Sequence, residues 1–360
     1  MPRLVQPLPD GPLDIIGDVH GELGALRALL DRLGVDVDAG TATRPVVFVG
    51  DLVDRGPDSP GVVAVVRRLV EAGVAHCIIG NHELNLLLGL RKEGNGWAWG
   101  DADDGHPQVV DGALRVLRFG SQMASPAERD AILDFFRTLP LALARPDLRV
   151  VHACWSDGAV ADLPESADLV SFHRGRSRAI RKALKARGLI QAEAAERAAF
   201  ADLLRLDVRP TRPLPAHTEA EEARQEGHPS KVLTSGPERA VPFNDLIYAG
   251  GKWRFVQRHP WWETYDAAPA VVVGHYWRRR QRRAAGSSKD TWETRGPFDW
   301  TGPRGNVFCV DYSVGRRFVE RDPGRVGGFQ GALAALRWPE RTLVFDDRAD
   351  PIPTVGFGRP

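Results

Sequence analysis

Cysteine is scarce, with only Cys77, Cys154 and Cys309 in 360 residues. That count excludes a disulfide framework and fits a reducing, cytoplasmic setting. No run of about 18 apolar residues occurs, which excludes a membrane-spanning helix. The opening stretch, MPRLVQPLPDGP, holds no apolar signal segment, so the expected location is cytoplasmic. A charge of one sign is missing as well. Lys+Arg total 48 against 47 Asp+Glu, a net charge of +1, which argues against a protein that coats nucleic acid through bulk positive charge. With 26% charged and 43% hydrophobic residues the chain is no disordered polymer, and it can bury a sizeable core.

The first third alternates short apolar runs with helical periodicity. Residues 13–16, 45–49 and 76–79 read as strands. Between them, Leu23, Leu26, Leu29, Leu30 and Leu33 mark one amphipathic helix, and Val62, Val65, Val66 and Leu69 mark a second over 60–72. A leucine-rich helix follows from residue 82. This rhythm implies parallel strands with crossover helices, an α/β fold. Residues 94–130 read as a loop with short elements, 131–139 as a helix, and 148–151 as a strand. Residues 156–250 change character: 176–206 look helical and 209–242, rich in Pro, Gly, His and Glu, look irregular. Strand patterning resumes at 270–273, 306–310 and 342–345. The expected organisation is a core of 1–155 and 251–347, an insertion or cap at 156–250, and a loose tail at 348–360.

Three of the apolar runs end in the same punctuation: Gly17-Asp18-Val19-His20-Gly21, Gly50-Asp51-Leu52-Val53-Asp54-Arg55-Gly56, and Gly80-Asn81-His82-Glu83. Parallel sheets with crossover helices gather functional groups at the carboxyl ends of their strands. Asp18, His20, Asp51, Asp54, Arg55, Asn81 and His82 therefore belong to one rim, and two later strands end at His152 and at Gly274-His275. Carboxylate, imidazole and amide groups in one cluster are metal ligands by type, and the oxygen–nitrogen mix suits Mn, Fe or Zn better than Ca. Asp51, with two oxygens, is the natural bridge between two ions.

GDVHG, GDLVDRG and GNHE, followed by a strand-end His and then GH, resemble the calcineurin-like metallophosphoesterases. The DRG narrows the resemblance to the phosphoprotein-phosphatase branch, with its bacterial Ser/Thr phosphatases and diadenosine tetraphosphatases. NVFCVD at 306–311 and ALRWPER at 335–341 are similar to the end of the phosphatase domain of bacterial polynucleotide kinase–phosphatases. The resemblance implies an α/β sandwich of two mixed β-sheets flanked by helices, with the partly helical insertion outside it. It implies two divalent metal ions, manganese first, with iron, zinc, nickel or magnesium open. Asp18 and His20 would hold one ion, Asn81, His152 and His275 the other, and Asp51 both. Arg55 would grip phosphate oxygens. His82 would protonate the leaving oxygen with Asp54 orienting its ring, and a metal-bridging hydroxide would attack. Arg258, then Arg254, are the candidates for a second phosphate-gripping arginine, and Asp311 for support behind the ligands.

The implied activity is hydrolysis of a phosphomonoester in the manner of a Ser/Thr protein phosphatase. The alternative is cleavage of a dinucleoside polyphosphate or another nucleotide, and a more remote one is a non-catalytic phosphate- or nucleic-acid-binding module. The expected partners are a phosphorylated protein or nucleotide substrate, with no membrane and no stable nucleic-acid complex; the oligomeric state is open. The flanks of the later motifs depart from the family, with Ala153-Cys154-Trp155 after His152 and Tyr276-Trp277 after His275. Trp155 and Trp277 read either as an aromatic wall beside the metals or as packing under the insertion. The arginines at 278, 279, 280, 282 and 283 read either as a steering patch for a polyanion or as a solvated loop. The basic run from Arg174 to Arg187 reads as a solvated helix face, and His76, His106, His173, His217, His228 and His259 as structural or exposed.

Overall fold

The computed structural model describes the chain except for residues 102–104, 111–112, 201–202, 204–207, 250–251, 282–291, 293–294, 322–327 and 360. Two mixed β-sheets form its centre, which is the expected fold class. The six-stranded sheet runs Arg348–Pro353, Thr342–Phe345, Ala334–Trp338, Leu13–Ile16, Val46–Phe48, Ala75–Cys77 across its width. Its last three strands are parallel, with Asp14 opposite Val46 and Val46 opposite Ala75. The five-stranded sheet runs Val5–Pro7, Ala142–Arg145, Leu148–Val151, Ala270–Val273, Val307–Cys309, with its last three strands parallel.

Side-chain alternation decides how the layers stack. Ile15 and Val47 from one sheet and Val150, Val272 and Phe308 from the other share one buried cluster between the sheets. Their neighbours Ile16, Val46 and Phe48 point the opposite way and pack with Leu26, Leu29, Val62 and Val66 of the crossover helices Leu23–Leu33 and Ser59–Glu71. The first helix stops at Gly34, whose φ of 73° makes the left-handed cap that glycine permits. The second starts where Asp58 accepts a hydrogen bond from Gly61 N.

Several boundaries differ from the sequence reading, each for a local reason. The third strand lies at Ala75–Cys77, a residue or two early. The helix expected at 131–139 spans Pro126–Thr138, because Ser125 and Glu128 form a reciprocal cap and Pro126 takes the first position. Within 209–242 the structure has the helices Pro215–Glu226 and Pro229–Ser235 and the strand Glu238–Ala240. The prolines there start helices rather than break them. The tail is also ordered: Arg348–Pro353 is an edge strand, and Phe357 packs 4.8 Å from Trp300 and 5.7 Å from Trp338, ring to ring. An edge strand can be polar and carry proline, so its sequence lacks the alternation of a central one. Among the described residues no helix is long and apolar enough to cross a membrane.

Candidate metal centre

Asp18 and His20 follow the strand Leu13–Ile16, and Asp51, Asp54 and Arg55 follow Val46–Phe48. Asn81 and His82 open the helix Asn81–Leu87. His152, His275 and Asp311 leave the ends of three adjacent parallel or paired strands of the other sheet. The centre therefore sits where the two sheets present their strand ends together. To turn there, the backbone adopts left-handed angles at residues with side chains: φ is 47° at His20, 49° at Asp51, 74° at Asp54, 71° at Arg55 and 67° at His275. Such conformations cost energy and persist only where the surroundings enforce them, commonly at functional sites. Two glycines are required by closeness instead. A Cβ on Gly274 would lie 2.0 Å from Asp18 Oδ1, and one on Gly80 would lie 2.2 Å from Asp51 Oδ1.

Asp51 is central. Its Oδ2 is 3.8 Å from His20 Nε2, 3.8 Å from His82 Nε2 and 3.3 Å from His152 Nε2. Two potential metal clusters share it: His20, Asp51 and His82, and Asp51, His152 and His275, each with ligand atoms within 4.8 Å of one another. Asp18 borders the first, with Oδ2 3.8 Å from His20 Nε2, and accepts hydrogen bonds from His275 N. His20 Nδ1 is directed to Val53 O (3.1 Å) and His152 Nδ1 to Val49 O (2.8 Å), so both rings turn Nε2 inward, as metal-ligating imidazoles do.

Three observations test whether divalent ions suit this pocket. His275 Nε2 is buried and has no hydrogen-bond partner. One end of the Asn81 amide faces three acceptors, His275 Nδ1 at 2.9 Å, His152 Nε2 at 3.3 Å and Thr234 O at 3.3 Å. As an oxygen, that end needs a cation between it and the rings; as a nitrogen, it is satisfied by them. Burial, with mutual repulsion next, drives Asp18 well above the usual carboxylate range, and burial also raises Asp311. Burial acts likewise on Asp51, but His152 and His82 outweigh it and hold Asp51 low. Burial keeps His20 and His275 neutral, the state a ligand needs. Burial would lower His152 too, but Asp51 overcomes it and raises it to about 10, so a cation bound there takes the place of that proton. The donor set thus fits divalent cations.

Beside the ligands lies a proton-handling chain. Asp54 Oδ2 accepts from His82 Nδ1 at 2.6 Å, and Asp54 Oδ1 accepts from Trp97 Nε1 at 2.7 Å. Burial would lower the pKa of His82, but Asp51 and Asp54 overcome it and raise it. Arg55 Nη1 donates to His20 Nε2 at 2.9 Å, and its guanidinium lies 4.6 Å from the centroid of the Trp277 ring. Asp311 binds the backbone of that region, accepting from Trp277 N at 2.9 Å and Ser313 N at 2.8 Å.

The other candidates separate. Arg258 stacks 5.6 Å from the Tyr276 centroid and is the largest charge acting on His275 after burial. Arg254 is instead the main cation acting on the carboxyl of Glu238. Trp277 is 38% exposed at the site, whereas Trp155 is buried, donates to Asp157 Oδ1 at 2.7 Å and carries Arg149 on its ring. Of the aromatic wall, then, only Trp277 stands at the centre. Arg278 is buried and spends its guanidinium on the carbonyls of Cys309, Gly296 and Asp299, and Arg280 pairs with Asp347. Both are engaged by the protein itself, as is Arg279, and Arg282 and Arg283 lie outside the described residues. Two residues went unassigned in the sequence. Glu83 accepts from Asp51 N, Leu52 N and Gly80 N, tying two motif loops together. Trp97 lay in a segment read as loop; its only signal was a tryptophan among glycines and aspartates.

Fold and site together define a metal-dependent phosphoesterase, and the comparisons agree. Residues 11–202, more than half of the chain, match the calcineurin-like phosphoesterase family, to which this chain belongs. Its members are hydrolases that generally bind two divalent metals. Over 159 residues the chain is 33% identical to the symmetrical bis(5'-nucleosyl)-tetraphosphatase of Ralstonia nicotianae, covering 42% of this chain and 46% of that one. Over 150 residues it is 33% identical to the asymmetrical bis(5'-nucleosyl)-tetraphosphatase PrpE of Bacillus velezensis, covering 39% and 55%. These matches span about half the length of those curated relatives. A solved structure of the cold-active protein-tyrosine phosphatase of a psychrophilic Shewanella species aligns over 97% of this chain and 83% of that one, with 16% identity and a TM-score of 0.42.

Proposed function

We propose that this chain hydrolyses the phosphoanhydride of a nucleotide, with dinucleoside polyphosphates such as diadenosine tetraphosphate as its substrate class. The observation that carries this reading is Trp277, a partly exposed indole against the guanidinium of Arg55. A base can stack on such a ring while the neighbouring arginine takes phosphate oxygens. The names of the curated relatives support it. Asp18 and His20 are the proposed ligands of one ion, Asn81, His152 and His275 of the other, with Asp51 common to both. Manganese suits this donor set, and iron, zinc, nickel or magnesium are the alternatives. Such ions act as Lewis acids on phosphoryl oxygens and lower the pKa of water.

The chain's own groups do the rest. Arg55 binds and orients the phosphoryl group, with Arg258 the proposed second grip. His82 gives its proton to the leaving oxygen, and Asp54 holds the ring by Nδ1. We also take residues 156–250 as an insertion into a core of 1–155 and 251–347. The three cysteines are buried and unpaired, which supports a cytoplasmic setting.

A second reading, hydrolysis of phosphoserine or phosphothreonine in proteins, is favoured by the Trp97–Asp54–His82 chain. An alkoxide leaving group must be protonated, whereas a phosphate leaving group, a far weaker base, needs less help. Metal-stripped protein with manganese restored should be tested on diadenosine tetraphosphate, a phosphothreonine peptide and p-nitrophenyl phosphate. The nucleotide reading expects the highest kcat/KM on the dinucleotide, and a raised KM for that substrate alone in Trp277→Ala. Preference for the peptide, with Trp277→Ala silent, overturns it. Turnover of none of the three, with manganese still bound, places the substrate outside all three classes.

A further inference from the structure

Within the 156–250 segment, the helices Leu169–Ala186, Leu189–Ala199 and Pro215–Glu226 enclose a cavity of about 390 Å³ together with the start of Pro229–Ser235. Its charged lining is lopsided: Arg181, Arg197, Arg224 and Lys231 face one acid, Glu193. That acid is already spent. Its carboxylate takes both Arg224 nitrogens and His217 Nδ1. Among the described residues no carboxylate forms an ion pair with Arg181, Arg197 or Lys231. Lys231 is set deepest of the three. Burial depresses the pKa of its ammonium, Arg224 and Lys92 depress it further, and Glu238 and Glu221 offset this only in part. Three cations lining one cavity, with nearby acids that balance them only in part, repel one another, and an anion relieves that repulsion. Ile180 and Ile190 supply an apolar wall beside the cations.

One helix runs from the cavity to the metal centre. Lys231 sits near the start of the helix Pro229–Ser235, and the other end of that helix touches the site. There Leu233 O accepts from Ala153 N at 2.8 Å, next to His152, and Thr234 O lies 3.3 Å from the Asn81 amide.

We propose that this cavity is a second anion site, separate from the metal centre, that binds a phosphate-bearing small molecule on Arg181, Arg197 and Lys231. Its volume suits a small ligand, and the cations supply the bidentate and point-charge contacts that phosphate groups take. Such a site would bind its ligand whatever the metal centre hydrolyses.

The test is calorimetric titration of the metal-loaded full chain with pyrophosphate, and separately with adenosine monophosphate. The expected isotherm has two classes of site. In the double variant Arg181→Gln/Arg197→Gln, one class weakens at least tenfold or vanishes, while turnover of p-nitrophenyl phosphate without added anion is unchanged. Both positions are exposed on helix surfaces, so the fold should tolerate the change; Arg181→Glu alone serves as a second variant should the pair unfold. Adenosine monophosphate binding the lost class more tightly than pyrophosphate identifies a nucleoside phosphate as the ligand, and the reverse order identifies a free phosphate. A single class of site in the wild type, or two classes untouched by both variants, overturns the proposal.

Discussion

Trp97 donates its indole N–H to Asp54 Oδ1 at 2.7 Å, and both residues are buried. The carboxylate is therefore held from both sides, by Trp97 on one oxygen and His82 on the other. Trp97 touches no reacting atom in this arrangement; it positions the group that positions His82. Trp97→Phe keeps the ring and deletes the donor. A hydrogen bond to a charged group is worth about 1.5–3 kcal/mol, so kcat on an alkyl phosphate should fall about tenfold or more with KM little changed. A merely structural tryptophan would lower the melting temperature and affect all substrates alike. Rates on alkyl and aryl phosphates, measured beside thermal melts, separate the two roles.

His82 itself is exposed to a sharper test. A general acid matters in proportion to the basicity of the leaving oxygen, and such groups contribute about 10²–10⁴-fold. His82→Ala should therefore slow turnover of an alkyl phosphate by about two orders of magnitude more than turnover of p-nitrophenyl phosphate, whose leaving group departs without a proton. Equal losses on the two substrates would remove the general-acid role and leave His82 as a contributor to the His20–Asp51–His82 cluster.

How much of this was legible beforehand depends on how local the signal was. Asp18, His20, Asp51, Asn81, His152 and His275 each follow a short apolar run, so the strand periodicity that revealed the sheets also placed the residues at their ends. Trp97 was not legible, because its partner is 43 positions away and a lone tryptophan carries no period. The fates of Arg278 and Trp155 were equally hidden. Both are polar or amphipathic residues spent on internal carbonyls or carboxylates, and only three-dimensional packing distinguishes that use from a ligand contact. The helices Pro215–Glu226 and Pro229–Ser235 were misread because proline is a helix breaker in the interior and a helix starter at the first position.

Gly274 makes a prediction about metal binding that needs no activity assay. An added Cβ meets Asp18 Oδ1 at 2.0 Å, with Val49 Cγ2 at 2.8 Å behind, so neither neighbour can yield without moving the buried carboxylate. Gly274→Ala should displace Asp18 and reduce bound metal per chain, measured by elemental analysis after equilibrium dialysis. It should also shrink the stabilisation on adding manganese, read as a rise in melting temperature; for one intact site at a hundredfold excess over Kd that stabilisation is about 2.7 kcal/mol. Retention of the full complement of metal would show that metal binding does not need the close approach of Gly274 to Asp18.

The buried pair His173 and His228 predicts how stability responds to acid. Their rings lie 4.0 Å apart, and Ser230 Oγ bridges them at 2.9 Å from His173 Nδ1 and 3.1 Å from His228 Nδ1. Burial, then the neighbouring cations, pushes His173 down to about 3; burial also takes His228 to about 4, against a partial rescue by the carbonyl of His173. In the unfolded chain each titrates near about 6.5. Between those values the unfolded chain binds protons that the folded chain refuses, so the stability they contribute is complete above pH 6.5 and drains away as the pH falls toward 4. The slope is at most about 1.4 kcal/mol per pH unit for each histidine, less where solvent reaches the rings. Asp14, raised by burial to about 6, works in the opposite sense over part of that range, which is why the comparison must be between variants rather than between pH values alone. His173→Gln removes one of the two groups and keeps a side chain able to meet Ser230. Its melting temperature should fall less steeply than that of the wild type between pH 7 and pH 4.5, and parallel curves would mean that the two imidazoles accept protons inside the fold.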